Sequence, residues 1–148
     1  MRPHSGSALD ASMPRAAADF NHPLVVTAGS AESHAGPASL SLFALDGDSA
    51  IHLDTVKKAE DSDDLILRLF EAHGGRAQAT LSSAVGFRSA ERTNFLEDSI
   101  GDNNSGLEVV AGGSGTTLKL DLRAFEVMTI RLSQRAAANL GGGGGSRL

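Results

Sequence analysis

The chain has no cysteine, no tryptophan and no tyrosine among its 148 residues. Without thiols there is no disulfide framework, no thiolate metal ligand and no cysteine nucleophile, and the absence leans mildly toward a reducing compartment. Six phenylalanines are the whole aromatic supply, so the Trp or Tyr platform on which sugars usually stack is excluded. Nowhere is there a run of the roughly 18 apolar residues that a membrane-spanning helix needs. The N-terminus has no continuous apolar h-region, and no export signal is recognisable in it. The 13 Lys and Arg and 18 Asp and Glu are mixed along the chain for a formal charge of -5. That distribution lacks the basic block of a nucleic-acid footprint and argues against both nucleic-acid and membrane partners.

What is present suits one domain. The apolar fraction is 41%, a little below the usual range for a soluble fold. Residues 1–20 are rich in Ala, Ser and Pro without a stable period and read as a disordered lead-in, with a short helix over Ala16 to Phe20 as the alternative. Residues 133–148 end in GGGGGSRL and read as a flexible Gly-rich tail. The folding part is therefore expected over residues 21–132, a chain of about 110 residues with a few kcal/mol of margin.

Within it, Ile51 to Gly75 organises the rest. Ile51, Leu53 and Thr55 alternate with His52 and Asp54, and after a polar run Leu65, Leu67 and Leu69 alternate with Ile66, Arg68 and Phe70. Period two on both sides of a charged turn predicts a hairpin of two strands. Gly74-Gly75 supplies a second reversal into Ala77, Ala79 and Leu81. Leu24 to Thr27 reads as a short edge strand. Leu40, Leu42 and Ala44 read as one face of a strand ending at Asp46-Gly47-Asp48 and pairing with Ile51 to Val56. An edge strand over Phe87 to Phe95 and a short strand over Leu107 to Val110 come next, then a half-buried strand with Leu118, Leu120 and Leu122 on one side. The last strand opens with Phe125 and Val127, but its later apolar positions are Met128, Ile130 and Leu132, and this slip of parity implies a β-bulge near Val127 and Met128 or burial on both faces. Seven to nine short strands with almost no helix predict an all-β fold, an antiparallel β-sandwich.

Candidate chemistry is sparse. His52 and Asp54 share one predicted strand face but make too few ligands for a zinc site. Glu60, Asp61, Asp63 and Asp64 lack the spacing of a calcium loop and read as a solvated turn neutralised by Lys57 and Lys58. Glu71 with Glu91 or Glu126 could form a glycosidase-like carboxylate pair only if folding brings them within about 5 to 10 Å. Arg68, Glu71, His73 and Arg76 cluster around the hairpin end and are the candidate contacts for a polyol ligand or a neighbouring domain, against the plainer reading of a salt-bridged surface. No catalytic residue and no metal ligand is assigned.

Several separated segments then add a resemblance. Val56-Lys57-Lys58-Ala59-Glu60, Leu67-Arg68-Leu69-Phe70-Glu71, Gly74-Gly75-Arg76, Glu91-Arg92-Thr93-Asn94-Phe95-Leu96-Glu97 and the closing Leu122 to Val127 with Thr129 to Leu132 occur in an order similar to the C-terminal β-domain of family 38 glycoside hydrolases. These are the retaining α-mannosidases, and the likeness is to their cytosolic or vacuolar branch. It runs from about Pro37 to Leu132 and departs locally at Ala124, where the family usually has proline. The resemblance implies a galactose-mutarotase-like sandwich that accompanies a separate catalytic domain. That domain would hold the zinc ion and the nucleophile, neither of which has a counterpart here, so the chain is expected to be a fragment or a truncated gene product. The implied role is an accessory domain of an enzyme that cleaves terminal α-mannose with retention, its partner the catalytic domain and its setting cytoplasmic, with a vacuolar parent as the other option. A carbohydrate-binding module without hydrolase activity and a purely structural docking module are the alternatives.

Overall fold

The computed structural model describes residues 3–28, 39–101, 106–112 and 115–133. The proposed Gly-rich tail lies outside them, apart from its first residue. The chain divides into two units, Met1–Ser41 and Leu42–Leu148. In the first, α1 (Met13–Asn21) has proline in its first turn, where the missing N–H is not needed, and it buries no residue. The helix contains and exceeds Ala16 to Phe20, in a stretch read from sequence as a lead-in without structure. The edge strand expected over Leu24 to Thr27 does not form; Leu24, Val25 and Val26 stay exposed. No helix among the described residues is long and apolar enough to cross a membrane.

The second unit is an antiparallel β-sandwich. Its strands are β1 (Phe43–Gly47), β2 (Ile51–Lys58), β3 (Leu65–Glu71), β4 (Ala77–Ser83), β5 (Ser89–Thr93), β6 (Leu107–Gly112), β7 (Gly115–Leu122) and β8 (Val127–Ser133). One sheet has the order β1-β4-β7-β6 and the other β2-β3-β8-β5. Alternating residues of both sheets fill the space between them: Ala79, Leu81, Leu118, Leu120 and Leu122 from one, Leu67, Leu69, Met128, Ile130 and Leu132 from the other. Burying those side chains is what holds two half-apolar sheets face to face.

The β2-β3 hairpin forms as its period predicts. Two other expectations are corrected, and a third, open between two options, is decided. β1 pairs with β4, not with β2, because the chain crosses between sheets after Asp48. Phe43 and Leu45 are the residues of β1 that pack on the core, while Leu40, Leu42 and Ala44 are exposed. The parity slip before Met128 is not a bulge: a turn precedes β8, and burial on both faces, the other option, is seen at Met128, Thr129 and Ile130. Phe125 takes φ 56° and stays exposed, and β8 then pairs with β3 without interruption from Val127 onward. The real register shift lies between Leu53 and Thr55, in the strand whose pattern looked most regular. It moves Thr55 to the side of the sheet that His52 occupies.

Candidate functional site

The candidate residues at the end of the β2-β3 hairpin separate into different environments. Glu71, the last residue of β3, is only 2% exposed. Its Oε1 accepts from His73 N–H at 2.7 Å, and its Oε2 accepts from Gly74 N–H and Phe125 N–H, both at 2.8 Å. The carboxylate thus ties the 72–75 turn to the 123–126 turn. Burial alone would raise its pKa, but backbone donors from Phe125, His73, Gly74 and Gly75 outweigh that and hold it below the ordinary 4.5. His73 contributes its backbone to this clasp. Arg76, largely exposed, instead grips Asp121 in a bidentate pair, Nε to Oδ1 at 2.9 Å and Nη2 to Oδ2 at 2.6 Å. Arg68 points to the outward face of the β2-β3-β8-β5 sheet, where it donates to Phe95 O at 3.0 Å and lies over the Phe95 ring at 4.1 Å.

Two further carboxylates complete the pattern, and sequence reasoning did not single out the second of them. Glu126 accepts from Arg123 N–H and from Arg92 Nη2, each at 2.8 Å. Burial pushes its carboxyl up, while the Arg123 backbone and the Arg92 and Arg123 guanidinium groups bring it below 4.5. Its own backbone carbonyl accepts from Glu71 N–H at 3.0 Å, so the two acids brace one turn. Glu97 is 5% exposed with φ 73°. It accepts from Lys57 Nζ at 2.8 Å and from Glu60 N–H at 3.0 Å, with Arg68 at 3.7 Å. Its backbone carbonyl accepts from Arg131 at 2.8 Å. The Lys57 ammonium is the main cause that lowers its pKa. The 94–98 segment is thereby strapped over the outward side of the sheet, above the buried Ile66 and Thr129. Only the closing acidic residue of Glu-Arg-Thr-Asn-Phe-Leu-Glu signals this, and no periodicity marks it.

The remaining candidates are equally committed. In the acidic turn Asp63 pairs with Lys58, Asp61 with Arg131, and Asp64 accepts from Ser133 Oγ. This is the local neutralisation that the sequence suggests, with Arg131 added from a distant strand. His52 stacks on Phe70 with ring centroids 5.2 Å apart, and Asp54 sits at the register shift and accepts from Thr55 Oγ1. Among the described residues no three His, Asp or Glu side chains come together to hold a metal ion. The zinc implied by the resemblance has no fitting donor set among them. Glu71 and Glu126 also do not match an acid/base pair, since a glycosidase acid needs a raised carboxyl and both are lowered.

The acids and bases of these clasps lie in the very segments that carry the resemblance. A sequence model of the family described as "Glycosyl hydrolases family 38 C-terminal beta sandwich domain" matches residues 50–130. The chain belongs to this family. The family 38 domain found here is also similar to Alpha-mannosidase 2C1 of Homo sapiens, 37% identical over 100 residues that make up 66% of this chain and 9% of that protein. Alpha-mannosidase 2C1 of Mus musculus is 28% identical over 142 residues, 94% of this chain and 13% of that protein. The chain thus spans about a tenth of the length of these relatives. Within the matched residues the buried acids are held by the chain itself: Glu71 and Glu126 close one end of the sandwich, and Glu97 fastens the strap over one sheet.

Proposed function

We propose that this chain is the accessory C-terminal sandwich of an α-mannosidase whose complete form removes terminal α-mannosyl residues with retention, and that alone it does no chemistry. The domain braces or shapes a catalytic module that holds the zinc ion and the nucleophile. The observation that supports this most is that the three motif carboxylates, Glu71, Glu97 and Glu126, are all consumed by internal donors. An acid/base pair or a metal site leaves ligating atoms directed at a substrate. A cytoplasmic setting belongs to the same reading, resting on the branch that the motifs resemble, and a fluorescent fusion would test it. For the activity itself, the purified chain is incubated with an aryl α-mannoside and its zinc content measured. The expected result is release no faster than a heat-treated control and less than stoichiometric zinc. Turnover well above that control would overturn the reading.

A further inference from the structure

We infer that two copies of this chain associate face to face through the outward side of the β2-β3-β8-β5 sheet, at the end that carries Phe70 and Val127. The cross-strand rows of that side are unequally covered. In the row through Lys57, Ile66 and Arg131, and in the next through Arg68 and Thr129, the residues Ile66 and Thr129 are buried beneath the 94–98 strap. The row of His52, Phe70 and Val127 has no such cover. His52 and Phe70 stack on one another and are half-buried, while Val127 is 56% exposed.

Exposed apolar side chains rise on both flanks of this row. On the strap side Phe95 and Leu96 are 65% and 80% exposed, and Phe95 lies over Arg68, the next outward residue of β3 after Phe70. On the turn side Phe125 is 73% exposed, two residues ahead of Val127. Those four exposed residues leave on the order of 500 Å² of apolar side chain in water, near the top of what a monomer usually shows in one patch. Two copies joined here bury about 1,000 Å² in total, the lower limit for a specific protein interface. The dimer is therefore weak and reversible.

Shape and charge both select a second copy as the occupant. A two-fold axis along the His52-Phe70-Val127 row turns the strands of one copy antiparallel to those of the other. It sets the projecting Phe125 of each copy against the Phe95 and Leu96 side of its partner, with both Phe70-Val127 floors between them. The same rotation brings opposite charges together. At the turn end the exposed Arg123 guanidinium stands outside its buried acid, Glu126. At the other end the exposed Glu60 and Asp61 carboxylates stand outside their more buried bases, Lys57 and Arg131. Each end thus shows one sign to the solvent, and the rotation lays the basic end of one copy over the acidic end of the other. Between the ends, Arg68 is already covered by the Phe95 ring and held by Phe95 O, so no unpaired charge is added to the contact there. This surface does not depend on the accessory-domain reading.

The test is sedimentation equilibrium of the full 148-residue chain from about 10 μM to about 1 mM, recorded by interference optics because Trp and Tyr are absent. A monomer–dimer equilibrium with a Kd of order 100 μM is expected. On dilution the NMR signals of the His52, Phe70, Leu96 and Val127 amides should move, while those of Thr80 and Lys119 on the other sheet stay in place. Leu96→Asp and Val127→Asp should each raise the Kd at least about tenfold, since a two-fold interface feels every substitution twice. Both side chains are exposed, so the dispersed amide spectrum of the folded core should be retained. Val109→Asp, at an exposed apolar position of β6, should leave the Kd within about twofold. A chain still monomeric at about 1 mM, growth beyond a dimer, dilution shifts confined to other residues, a Kd that neither substitution at the face changes, or an equal loss with Val109→Asp would each overturn the proposal.

Discussion

Replacing Glu126 with alanine should reveal whether the buried acids of this domain hold it together. The variant removes the acceptor of Arg123 N–H and the carboxylate 2.8 Å from Arg92, whose side chain is only 13% exposed. Breaking a buried pair from one side leaves a charge without its counter-ion, and the expected cost is about 3 kcal/mol, the lower end of the range because Arg123 is itself exposed. A small domain has about 5 to 15 kcal/mol in all, and each kcal/mol is worth about 4 to 8 °C at this size, so the midpoint should fall by roughly 12 to 24 °C. With no Trp or Tyr, the melt is followed by far-UV circular dichroism. Arg92→Met in the same background should restore part of the loss, because an apolar replacement removes the stranded charge. Acidity supplies the sharper check. The Glu126 carboxyl is lower in the folded chain than its ordinary 4.5, so its contribution is full above that value and is lost as pH falls through the lowered one. Wild type and variant should therefore differ most at neutral pH and converge in acid. A loss under about 0.5 kcal/mol, or a gap that stays constant from neutral pH into acid, would refute the clasp.

The turn that Glu71 caps offers a second comparison. Gly74→Ala should cost about 1 kcal/mol or more for an L-residue at positive φ, and its Cβ would fall 2.6 Å from the Phe125 ring. Gly75→Ala, with nothing within 4 Å of its Cβ position, should stay within about 0.5 kcal/mol; equal losses at the two positions in chemical denaturation would contradict the turn geometry. At the strap, Glu97→Gln should speed amide hydrogen exchange in residues 94–98 at neutral pH. In the wild type the same release is expected only as pH falls below 4.5 and through the lowered Glu97 value. Unchanged exchange in the variant would show that Lys57 and Arg68 do not anchor the segment through Glu97.

Much of the fold was legible because burial writes itself into period two. Leu118, Leu120 and Leu122 alternate and are buried, and Ile51 to Val56 pairs with Leu67 to Glu71 as the hairpin pattern implies. Period says which residues share a face but not which sheet that face belongs to. That is why β1, adjacent in sequence to β2, finds its partner in the other sheet against expectation. It also fails where two parities are both apolar: Leu40 and Leu42 compete with Phe43 and Leu45, and the larger inward pair wins in the structure. Phe125 misled for a different reason, since an aromatic residue at positive φ in a turn has no sequence signal of its own. The candidate site was less legible. Arg68, Glu71, His73 and Arg76 are close in sequence, yet strand alternation sends Arg68 to the outward face while the turn draws Glu71 inward.

The fate of those residues bears on how a motif should be weighed. Charged residues at fixed places in several separated segments resemble the signature of a catalytic site, because chemistry also requires particular groups at particular positions. A small sandwich has a second way to require them. Its strands bury apolar side chains readily, but each turn and each crossing segment leaves backbone N–H groups that need acceptors. Glu71 supplies two acceptor oxygens to three of them and Glu126 another to Arg123, and Glu97 gives the 94–98 segment its ionic anchor. A carboxylate in such a position is held ionised and saturated with donors, the opposite of the raised or unpaired state that proton transfer requires. The distinction can be read from any one of these acids: its donors come from the chain itself, and they hold both of its oxygens. By that criterion Glu71, Glu97 and Glu126 specify how the sandwich closes.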